Sequence, residues 1–462
     1  MSHPPFHTTG YTILGSVVPK YRDISVTPGF FFSPFHRASG PADCRGLNGD
    51  AQKNLWPTTT LLALTGLNLF NYLDRQVLPA VLQPLQADLH LSKTQAGLAT
   101  TAFMLGYFVT APFFGYLGDR MPRKWLVAAG VVVWSAGTML TGWAGGFVTL
   151  LLFRVLVGVG EASYGTLSPG WIADLYAPSR RNNALSVFYV AIWIGSALGY
   201  VLGGEIGSRY GWRWAFIWAG APGVLLALGL LFLREPRRGA SEPAGAAPAV
   251  TPPSGWAAYA SLTKNPAYVL TVLGYVAQTF AVGGFAAWAP VFLQEVHGME
   301  FAAADHFFGV ALAVTGLTAT FLGGFAATRW QRRSPAGYAW TLGLSAAVAA
   351  PLAFAAFMVH DVALARGFLA GAMFFLFIST GPVNTLILET VPVGMRASAM
   401  AASIFAIHLF GDLWSPPIVG FLADQTKRFD RAVLVLPVAL IVCAGFWLWL
   451  AVRTPKAHAK TA

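Results

Sequence analysis

The stretch GYLGDRMPRK, residues 115–124, decides the fold. It lies between two long apolar runs, and its glycines and charged residues are Gly115, Gly118, Asp119, Arg120, Arg123 and Lys124. Basic residues in a short turn between two apolar runs are typical of one face of a membrane. Asp119 is placed to cap a neighbouring helix or to pair with an arginine. Because breaking such a contact would release the turn, we predict that this motif forms an inner gate.

The same pattern returns in the second half of the chain, where residues 324–333 read GFAATRWQRR. A shift of 209 residues superposes Gly115 on Gly324 and Arg120 on Arg329. Thr328 takes the place of the aspartate, so a charge-based latch should be weaker in this copy. Two six-helix halves related by internal repetition are a known architecture of secondary transporters.

The composition excludes an ordinary soluble protein. Of the 462 residues, 55% are hydrophobic and only 11% are charged, against about 25% charged in soluble domains. Apolar runs of the roughly 20 residues that a bilayer requires follow one another from residue 57 to residue 452. We predict an all-α membrane protein with twelve transmembrane helices in two six-helix bundles. The predicted segments are a disordered tail (1–56), an N-terminal bundle (57–233), a cytoplasmic linker (234–264), a C-terminal bundle (265–452) and a C-terminal tail (453–462).

The formal net charge of +11 does not indicate nucleic-acid binding, because the basic residues are spread over alternate loops. Most of the 30 Lys and Arg residues fall in the tails and in every second loop, which places both termini in the cytoplasm. The Ala-, Arg- and Gly-rich composition is typical of a bacterial inner (plasma) membrane protein. The sequence has no nucleotide-binding loop, catalytic constellation or metal-ligand spacing, so we expect no enzyme activity, no cofactor and no metal.

The clearest ionisable residues inside the predicted spans are Asp74, Arg75, Arg154, Glu161, Arg366, Glu389, His408 and Asp412. Each costs about 2.5–3.5 kcal/mol on the insertion scale and therefore needs a reason. Arg154 and Glu161 are two helical turns apart and share a face, with Gly158 between them for close helix packing. Depth counted at about 1.5 Å per residue places Asp74 and Arg75 level with Arg154, and Glu161 one or two turns deeper.

These charges predict a cluster in the N-terminal bundle. One interpretation is an ion-pair network that only holds helices together, although such networks stabilise weakly. The other is functional, because a carboxylate that alternates between an arginine and a proton is what a proton-driven carrier requires. His408 and Asp412, four residues apart, fit either a local hydrogen bond or a proton relay. We assign proton coupling to Asp74, Arg75 and Glu161, and substrate binding or gating to Arg154, Glu389, His408, Asp412 and Arg366.

Two further patterns concern packing. Glycines recur every four residues at Gly195, Gly199, Gly203 and Gly207 and predict a smooth face for close helix contact. The mid-span aromatic residues either pack in the core or line a cavity; they are Phe70, Tyr72, Phe103 and Tyr107.

The turn at 115–124 and its copy resemble the signature of the major facilitator superfamily, and the resemblance covers residues 57–452. Within it the chain is similar to the spinster group in NYLDR (71–75), LSKTQAGLATTAFMLGY (91–107), RVLVGVGEASYG (154–165), WRWAF (212–216) and especially IHLFGDLWSPPIVG (407–420). The resemblance implies a monomeric carrier of lysophospholipids or sphingosine phosphate, proton-coupled in some members. It implies proton coupling by Asp74, Arg75 and Glu161, and an anion-binding or gating role for Arg154.

We therefore predict a proton-coupled secondary transporter that works by alternating access, with the bilayer and a small amphipathic or anionic substrate as partners. An organic-anion:proton symporter is the alternative, because NY-x-DR and R-x-x-x-G-x-x-E also resemble that group. A lipid substrate predicts a cavity with an apolar end, whereas a small anion predicts a polar, arginine-lined cavity. A non-transporting membrane receptor would be expected to lose the gate motif or to carry a large soluble domain, and the sequence shows neither.

Overall fold

Long helices follow one another through the part of the chain that this computed structural model describes, which is residues 47–118, 120–237, 240–241, 256–391 and 395–454. The first half consists of α1 (Leu47–Ala80), α2 (Leu82–Asp88), α3 (Lys93–Thr101), α4 (Phe103–Gly118), α5 (Arg123–Thr141), α6 (Phe147–Leu175), α7 (Pro178–Tyr210) and α8 (Trp212–Leu231). A short helix, α9 (Trp256–Thr263), precedes the second half. The second half consists of α10 (Pro266–Glu295), α11 (Phe301–Gln331), α12 (Gly337–Met358), α13 (Val362–Phe377), α14 (Thr380–Glu389), α15 (Arg396–Ile407), a π turn (His408–Asp412), α16 (Ser415–Thr426), α17 (Phe429–Ala432) and α18 (Val435–Arg453).

The described residues contain eleven helical segments that are long and apolar enough to cross a membrane. The first helix, α1, is 34 residues long, but Asn68, Asn71, Asp74 and Arg75 make its second half polar. With α1 included, the helices agree with the twelve spans that the sequence predicts. Because the rise of a helix is about 1.5 Å per residue, α1 is also long enough to span a bilayer.

Two predicted boundaries differ from the structure. The first helix begins at Leu47, so residues 47–56 of the predicted tail are helical, and residues 1–46 lie outside the described ranges. The predicted linker, 234–264, contains the helix α9. Its Ala- and Tyr-containing sequence lacks the glycine and proline of the segment before it, which explains why a helix forms there.

Glycines allow the helices of the first half to pack backbone against backbone. A Cβ atom on Gly195 or Gly199 would lie 2.3 or 2.5 Å from the carbonyl oxygen of Leu69 or Leu73 on α1. One on Gly158 would lie 1.7 Å from the carbonyl oxygen of Phe103. These distances are shorter than any real contact, so only glycine fits. The predicted close-packing roles of the α7 glycines and of Gly158 are thereby confirmed.

We name the two ends of the bundle by the residues they carry. The terminal end holds Arg123, α9 and Arg453, and the distal end holds α2, Glu295 and Asp424. The hydrogen bonds and ion pairs that join the two halves, within the described part of the chain, all lie in the distal half of the bundle. The two halves are therefore held together on the distal side of the space between them.

The distal connection is built around the start of α3. The carboxylate of Asp424 accepts hydrogen bonds from the backbone N–H groups of Lys93 (3.0 Å) and Thr94 (2.8 Å). The Nζ atom of Lys93 lies 2.8 Å from both carboxylate oxygens of Glu295 on α10. Anionic side chains are favoured at the N-terminus of a helix, where N–H groups lack partners. Two carboxylates of the second half thus fix one helix end of the first.

Candidate functional site

An ion pair joins the first helix to the sixth near the middle of the bundle. The Nε atom of Arg75 donates a hydrogen bond of 2.7 Å to Oε2 of Glu161. The glutamate side chain is fully buried, whereas the arginine side chain is 21% exposed. The described residues give the two Nη groups of Arg75 no hydrogen-bond acceptor. The arginine is therefore held on one side and open on the other.

The sequence places Asp74 and Arg75 level with Arg154, and Glu161 one or two turns deeper. In the structure the side chain of Arg75 reaches Glu161. Because an arginine side chain is about as long as one helical turn, this contact is compatible with the predicted order of depths.

The other two charges of the cluster are buried and form no ion pair among the described residues. Arg154 is fully buried, and none of its three guanidinium nitrogens has a hydrogen-bond acceptor among the described residues. Its guanidinium carbon lies 5.4 Å from the centre of the Phe103 ring, and that of Arg75 lies 5.1 Å from the same ring. Asp74 is also buried and reaches only Thr138, at 3.5 Å. Phe103 therefore contacts both arginines.

Hydrogen bonds from side chains of one helix to the backbone of another fix the heights of these residues. The hydroxyl of Tyr164 on α6 donates to the carbonyl of Leu64 at 2.5 Å, and the amide of Asn68 donates to the carbonyl of Phe188 at 2.9 Å. A buried polar group needs such a partner. These bonds therefore fix α1 against α6 and α7, and hold Arg75 opposite Glu161.

A cavity of about 310 Å³ lies between the two halves, beside Arg75. Its lining residues come from both halves: Tyr72, Arg75, Gln76, Pro79, Thr100, Thr101, Phe103, Met104, Ile192, Trp193, Ser196, Tyr200, Val282, Gly283, Phe285, Ala286, Phe308, Leu312, Met373, Leu376, Phe377, His408, Asp412 and Pro416. The ionisable lining residues apart from tyrosine are Arg75, His408 and Asp412, and aromatic and aliphatic side chains make up most of the rest. The cavity therefore offers a charged region and an extended apolar region.

The π turn supplies two ionisable residues of the cavity from the second half, His408 and Asp412. The Nδ1 atom of His408 lies 3.0 Å from Oδ2 of Asp412. Pro416 and Pro417 follow, and because proline has no N–H group, regular helical hydrogen bonds to residues 412 and 413 do not form. The carbonyl of Ile407, just before the π turn, accepts a hydrogen bond of 3.1 Å from the hydroxyl of Thr279 on α10. Turns of this kind inside α-helices occur frequently at functional sites.

The predicted partners His408 and Asp412 thus contact one another and face the cavity. The shift that relates the two halves places Gly283 at the position of Asp74. A Cβ atom on Gly283 would lie 2.7 Å from the Cβ atom of Asp412. Because Gly283 has no side chain, Asp412 occupies the space that a side chain on α10 would fill. The side chain of Asp412 therefore lies close to the backbone of α10.

The gate motif lies at the terminal end of the bundle. The Nη1 atom of Arg123 lies 2.8 Å from Oδ2 of Asp174 on α6, and its backbone N–H donates to Glu235 at 2.8 Å. A Cβ atom on Gly118 would meet Leu167 at 2.1 Å. The backbone N–H of Lys124 donates to the carboxylate of Glu235 at 3.2 Å. Gly115 lies beside Thr166, and Arg120 lies over the ring of Tyr116. Asp119 lies outside the described residues.

Glu389 and Arg366 lie away from the cavity. Glu389 is the last residue of α14, is exposed, and accepts a hydrogen bond from Gln331 at 3.3 Å. Arg366 is exposed near the start of α13, with its guanidinium 4.9 Å from the ring of Phe307. Both are at helix ends, so their presence within an apolar run needs no site to explain it. Their predicted substrate or gating role stays a prediction.

Sequence reasoning missed several lining residues. Of the aromatic residues considered, Tyr72 and Phe103 line the cavity, and the ring of Tyr107 lies 5.9 Å from the Arg75 guanidinium. Trp193 and Tyr200 on α7 also line it, but no pattern in the sequence separates them from packed aromatics. They are identified as lining residues only by their place beside the cavity, which depends on how the helices are paired.

Comparison with known proteins agrees with this arrangement. The model of the Major Facilitator Superfamily matches residues 64–416. Human protein spinster homolog 1 is 35% identical over 407 residues, which is 82% of this chain and 76% of that protein. Mouse protein spinster homolog 3 is 32% identical over 424 residues, covering 85% of this chain and 82% of the relative.

Solved structures show the same fold. A bacterial homologue of the human lysosomal transporter spinster, in an inward-facing and unoccupied conformation, superposes with a TM-score of 0.79 at 25% identity, covering 86% of this chain and 97% of that one. A D-xylose–proton symporter superposes with a TM-score of 0.66 at 19% identity, covering 87% and 99%, and so shares the fold alone. The chain is a multi-pass membrane protein that belongs to the major facilitator superfamily and, within it, to the spinster family of transporters.

Proposed function

We propose that this transporter moves an amphipathic, lipid-like anion, such as a lysophospholipid or a sphingolipid-like molecule, by proton-coupled alternating access. The observation that carries the proposal is the place of Arg75. Its guanidinium is held by Glu161 through Nε and contributes to the wall of a mostly apolar cavity. One fixed cation beside an apolar space suits a molecule with one anionic group and a hydrocarbon part.

The apolar lining favours a lipid-like substrate over a small organic anion. Leu312, Met373, Leu376 and Phe377 line the cavity from the second half, where an acyl chain would be buried. A small carboxylate would instead be matched by several arginines, and in the described lining Arg75 is the arginine that reaches the cavity.

The cluster supplies a route for proton coupling. Two arginines and two carboxylates carry no net charge when both carboxylates are ionised. A proton on Glu161 would remove the charge that holds Arg75, and the freed guanidinium would bind an anion more strongly. Proton and anionic substrate therefore stabilise each other's binding, which is the coupling free energy that a proton-driven carrier needs.

Alternating access follows from the way the halves meet. The distal side is closed by the contacts of Lys93 with Glu295 and of Thr94 with Asp424. We assign the terminal end to the cytoplasm of a bacterial inner membrane, from the basic loops. The two halves would rock about the cavity, breaking these distal contacts while closing the terminal end.

The test is binding of a homologous series to the purified transporter. Lysophosphatidic acids of increasing acyl length share one phosphate group, and glycerol 3-phosphate provides the headgroup alone. Affinity should rise roughly fourfold for each CH₂ group buried, which corresponds to about 0.8 kcal/mol. It should also rise as pH falls, and Arg75→Ala should abolish the binding of every member.

The controls separate the proposal from its alternatives. Arg366→Ala removes an exposed arginine away from the cavity and should leave affinity unchanged. Equal affinity for glycerol 3-phosphate and the long-chain members would replace the lipid assignment by the organic-anion one. Substrate binding without movement of the labelled compound across proteoliposome membranes would favour a receptor.

A further inference from the structure

A third buried carboxylate lies far along the chain from the two carboxylates of the charged cluster. Asp305, in the second turn of α11, is fully buried, and neither of its carboxylate oxygens has a hydrogen-bond partner among the described residues. It packs against Gly204 of α7, where a Cβ atom would lie 2.7 Å from the Cβ atom of Asp305 and 2.9 Å from its Oδ2. The carboxylate is thus buried by a helix of the opposite half.

The ionisable groups around Asp305 do not neutralise it. Tyr200 on α7 and Glu300, which immediately precedes α11, are the ionisable groups that act on it; Glu205 and His306 follow Gly204 and Asp305 in the sequence. The Tyr200 hydroxyl donates to a carbonyl of α10 at 2.5 Å, and Glu300 accepts bonds from backbone N–H groups at the start of α11. None of these groups offers Asp305 a hydrogen bond.

The histidine next to Asp305 in the sequence, His306, pairs with Glu205 and not with Asp305. The Nε2 atom of His306 lies 3.5 Å from Oε2 of Glu205, and these two side chains are 43% and 31% exposed. Glu205 also pairs with Arg209 one turn along α7. These three residues form a partly exposed rim at the distal end, beside the place where Asp305 is buried.

An unpaired carboxylate in such a place is far more costly when ionised than when protonated. The burial exists because α7 and α11 are in contact, and that contact is part of the distal closure. Separation of the two helices would expose Asp305 to water, where the ionised form is favoured. Protonation and distal closure must therefore stabilise each other.

We propose that Asp305 is a second proton-binding site, separate from the cluster of Asp74 and Glu161, and that its proton holds the distal end closed. The proposal rests on alternating access in the proposed function, but not on proton-coupled substrate movement. In this arrangement a proton taken up from the distal solution closes that side of the transporter. Its release into the same solution accompanies opening.

The sign of the pH dependence follows from this linkage. The distal-closed state binds one proton more than the distal-open state, so raising the pH favours opening. The closed-to-open ratio should fall by up to about tenfold per pH unit in the range where only the closed state holds the proton. A carboxylate that ionises at its ordinary value in both states would give no such slope near neutral pH.

The experiment measures the distal separation directly. Spin labels at Ser208→Cys on α7 and Ala303→Cys on α11, both exposed, are placed in a Cys44→Ser, Cys443→Ala chain reconstituted without substrate. Pulsed electron–electron distances are recorded from about pH 5 to about pH 9, a range that includes the values documented for buried carboxylic acids. We expect a short distance in acid and a growing long-distance population in base. Asp305→Asn should keep the short distance throughout.

Matched variants decide which group titrates. Glu205→Gln and His306→Gln change the exposed rim and should retain the pH-dependent distance. Loss of the pH dependence in either rim variant, with its retention in Asp305→Asn, would overturn the proposal. Asp305→Ala provides a second neutral side chain should the asparagine variant not fold, with the same expected result.

The outcome is independent of the proposed transport activity. A chain that carries Glu161→Gln should keep the distal pH response, because Asp305 is intact. Failure of proton-coupled uptake together with a normal distal response would contradict the proposed function only. A distance that does not change with pH in the parent chain would contradict the role of Asp305 only.

Discussion

Glu161 accepts a 2.7 Å hydrogen bond from Arg75 while the glutamate is fully buried and the arginine reaches the cavity. The pair therefore connects an interior carboxylate to the substrate space through one guanidinium. Neutralising the glutamate should act on the arginine without changing the shape of the site. This relationship is the basis of the first prediction.

Glu161→Gln should fix the site in the form that protonation produces. Anion affinity at neutral pH should rise to the value that the parent protein reaches in acid, a change of about tenfold, which is typical of coupling between two sites. Concentrative uptake driven by a proton gradient should be lost, whereas exchange of bound substrate continues. Isothermal titration at two pH values and uptake into proteoliposomes give the two readings.

Glu389→Gln is the matched control, because it neutralises an exposed glutamate at a helix end away from the cavity. Its affinity and pH dependence should equal those of the parent. A shift in this variant as large as that of Glu161→Gln would support the predicted substrate role of Glu389. It would also contradict the proposal that anion affinity depends on the protonation of Glu161 in particular.

Gly283→Ala should impair transport through the π turn. The added methyl group would lie 2.7 Å from the Cβ atom of Asp412 and 2.8 Å from Oγ of Ser415, so the turn must move away from the cavity. We expect at least a tenfold loss of uptake in proteoliposomes, with the amount of folded protein nearly unchanged. Gly381→Ala, where a Cβ atom meets nothing within 4 Å, should transport normally; equal losses in both would point to helix propensity.

Asp424→Asn should weaken distal closure. The carboxylate accepts two backbone hydrogen bonds at the start of α3 and one from the Thr94 hydroxyl, and bonds to a charged group contribute about 1.5–3 kcal/mol. A cysteine at Ser196, which lines the cavity, should react about tenfold faster with a membrane-impermeant thiol reagent applied on the distal side. Asp430→Asn, which loses only a local pair with Arg428, is the control and should show the parent rate.

Asp88 provides a pH-dependent contribution to stability outside the membrane spans. A hydrogen bond from Arg213 at 2.5 Å, together with one from the Trp212 indole at 3.2 Å, lowers the pKa of its carboxyl below the ordinary 3.8. A lowered folded-state pKa means that the stabilisation is complete well above pH 3.8 and is lost as pH falls through the lowered value. Both side chains are more than 40% exposed, so solvent screening keeps the effect small.

Asp88→Asn should therefore lower the free energy of unfolding by at most about 1 kcal/mol at neutral pH. The difference from the parent should shrink as the pH falls below 3.8 and should decrease with added salt. Denaturant titrations in detergent at several pH values give the measurement. A difference that grows in acid would show that Asp88 acts through something other than this pair.

The sequence predicted the parts of this molecule that depend on composition and on single costly residues. Apolar runs of membrane length predict the helices, and charged residues inside them have few explanations other than a site. That is why Arg75, Glu161, His408 and Asp412 stand out as candidates from the sequence alone. The four-residue glycine spacing on α7 predicts a face for close helix contact, but the structure was needed to show that α1 is the partner of Gly195 and Gly199.

The rest depends on how helices are paired and tilted. Residue counts place Arg154 level with Arg75, whereas Arg75 forms its hydrogen bond with Glu161, because counts along a span do not show where a long side chain ends. Trp193 lines the cavity only because α7 faces the second half, which no local pattern reveals. Asp305 has no distinguishing sequence pattern because it is close to a span end, where a charge is ordinarily solvated; its burial arises from Gly204 on the opposite half.

Gly97 should act as a steric switch for the distal end. A Cβ atom there would lie 2.4 Å from the carbonyl oxygen of Pro416, and one on Gly420 would lie 2.2 Å from the carbonyl oxygen of Lys93. The backbones of α3 and α16 therefore touch only because both positions are glycine. Gly97→Val cannot fit in the closed contact, but it meets no such barrier once α3 and α16 separate.

We expect Gly97→Val to populate the distal-open state, with the thiol reagent reaching a cysteine at Ser196 at least tenfold faster and uptake lost. Gly66→Val is the matched control, since a Cβ atom on that membrane-helix glycine meets nothing within 4 Å, and it should retain both properties. Because valine disfavours helix similarly at either position, a difference between the two variants isolates the contact with Pro416. Unchanged reactivity in Gly97→Val with intact uptake would mean that α3 and α16 do not need to touch for distal closure.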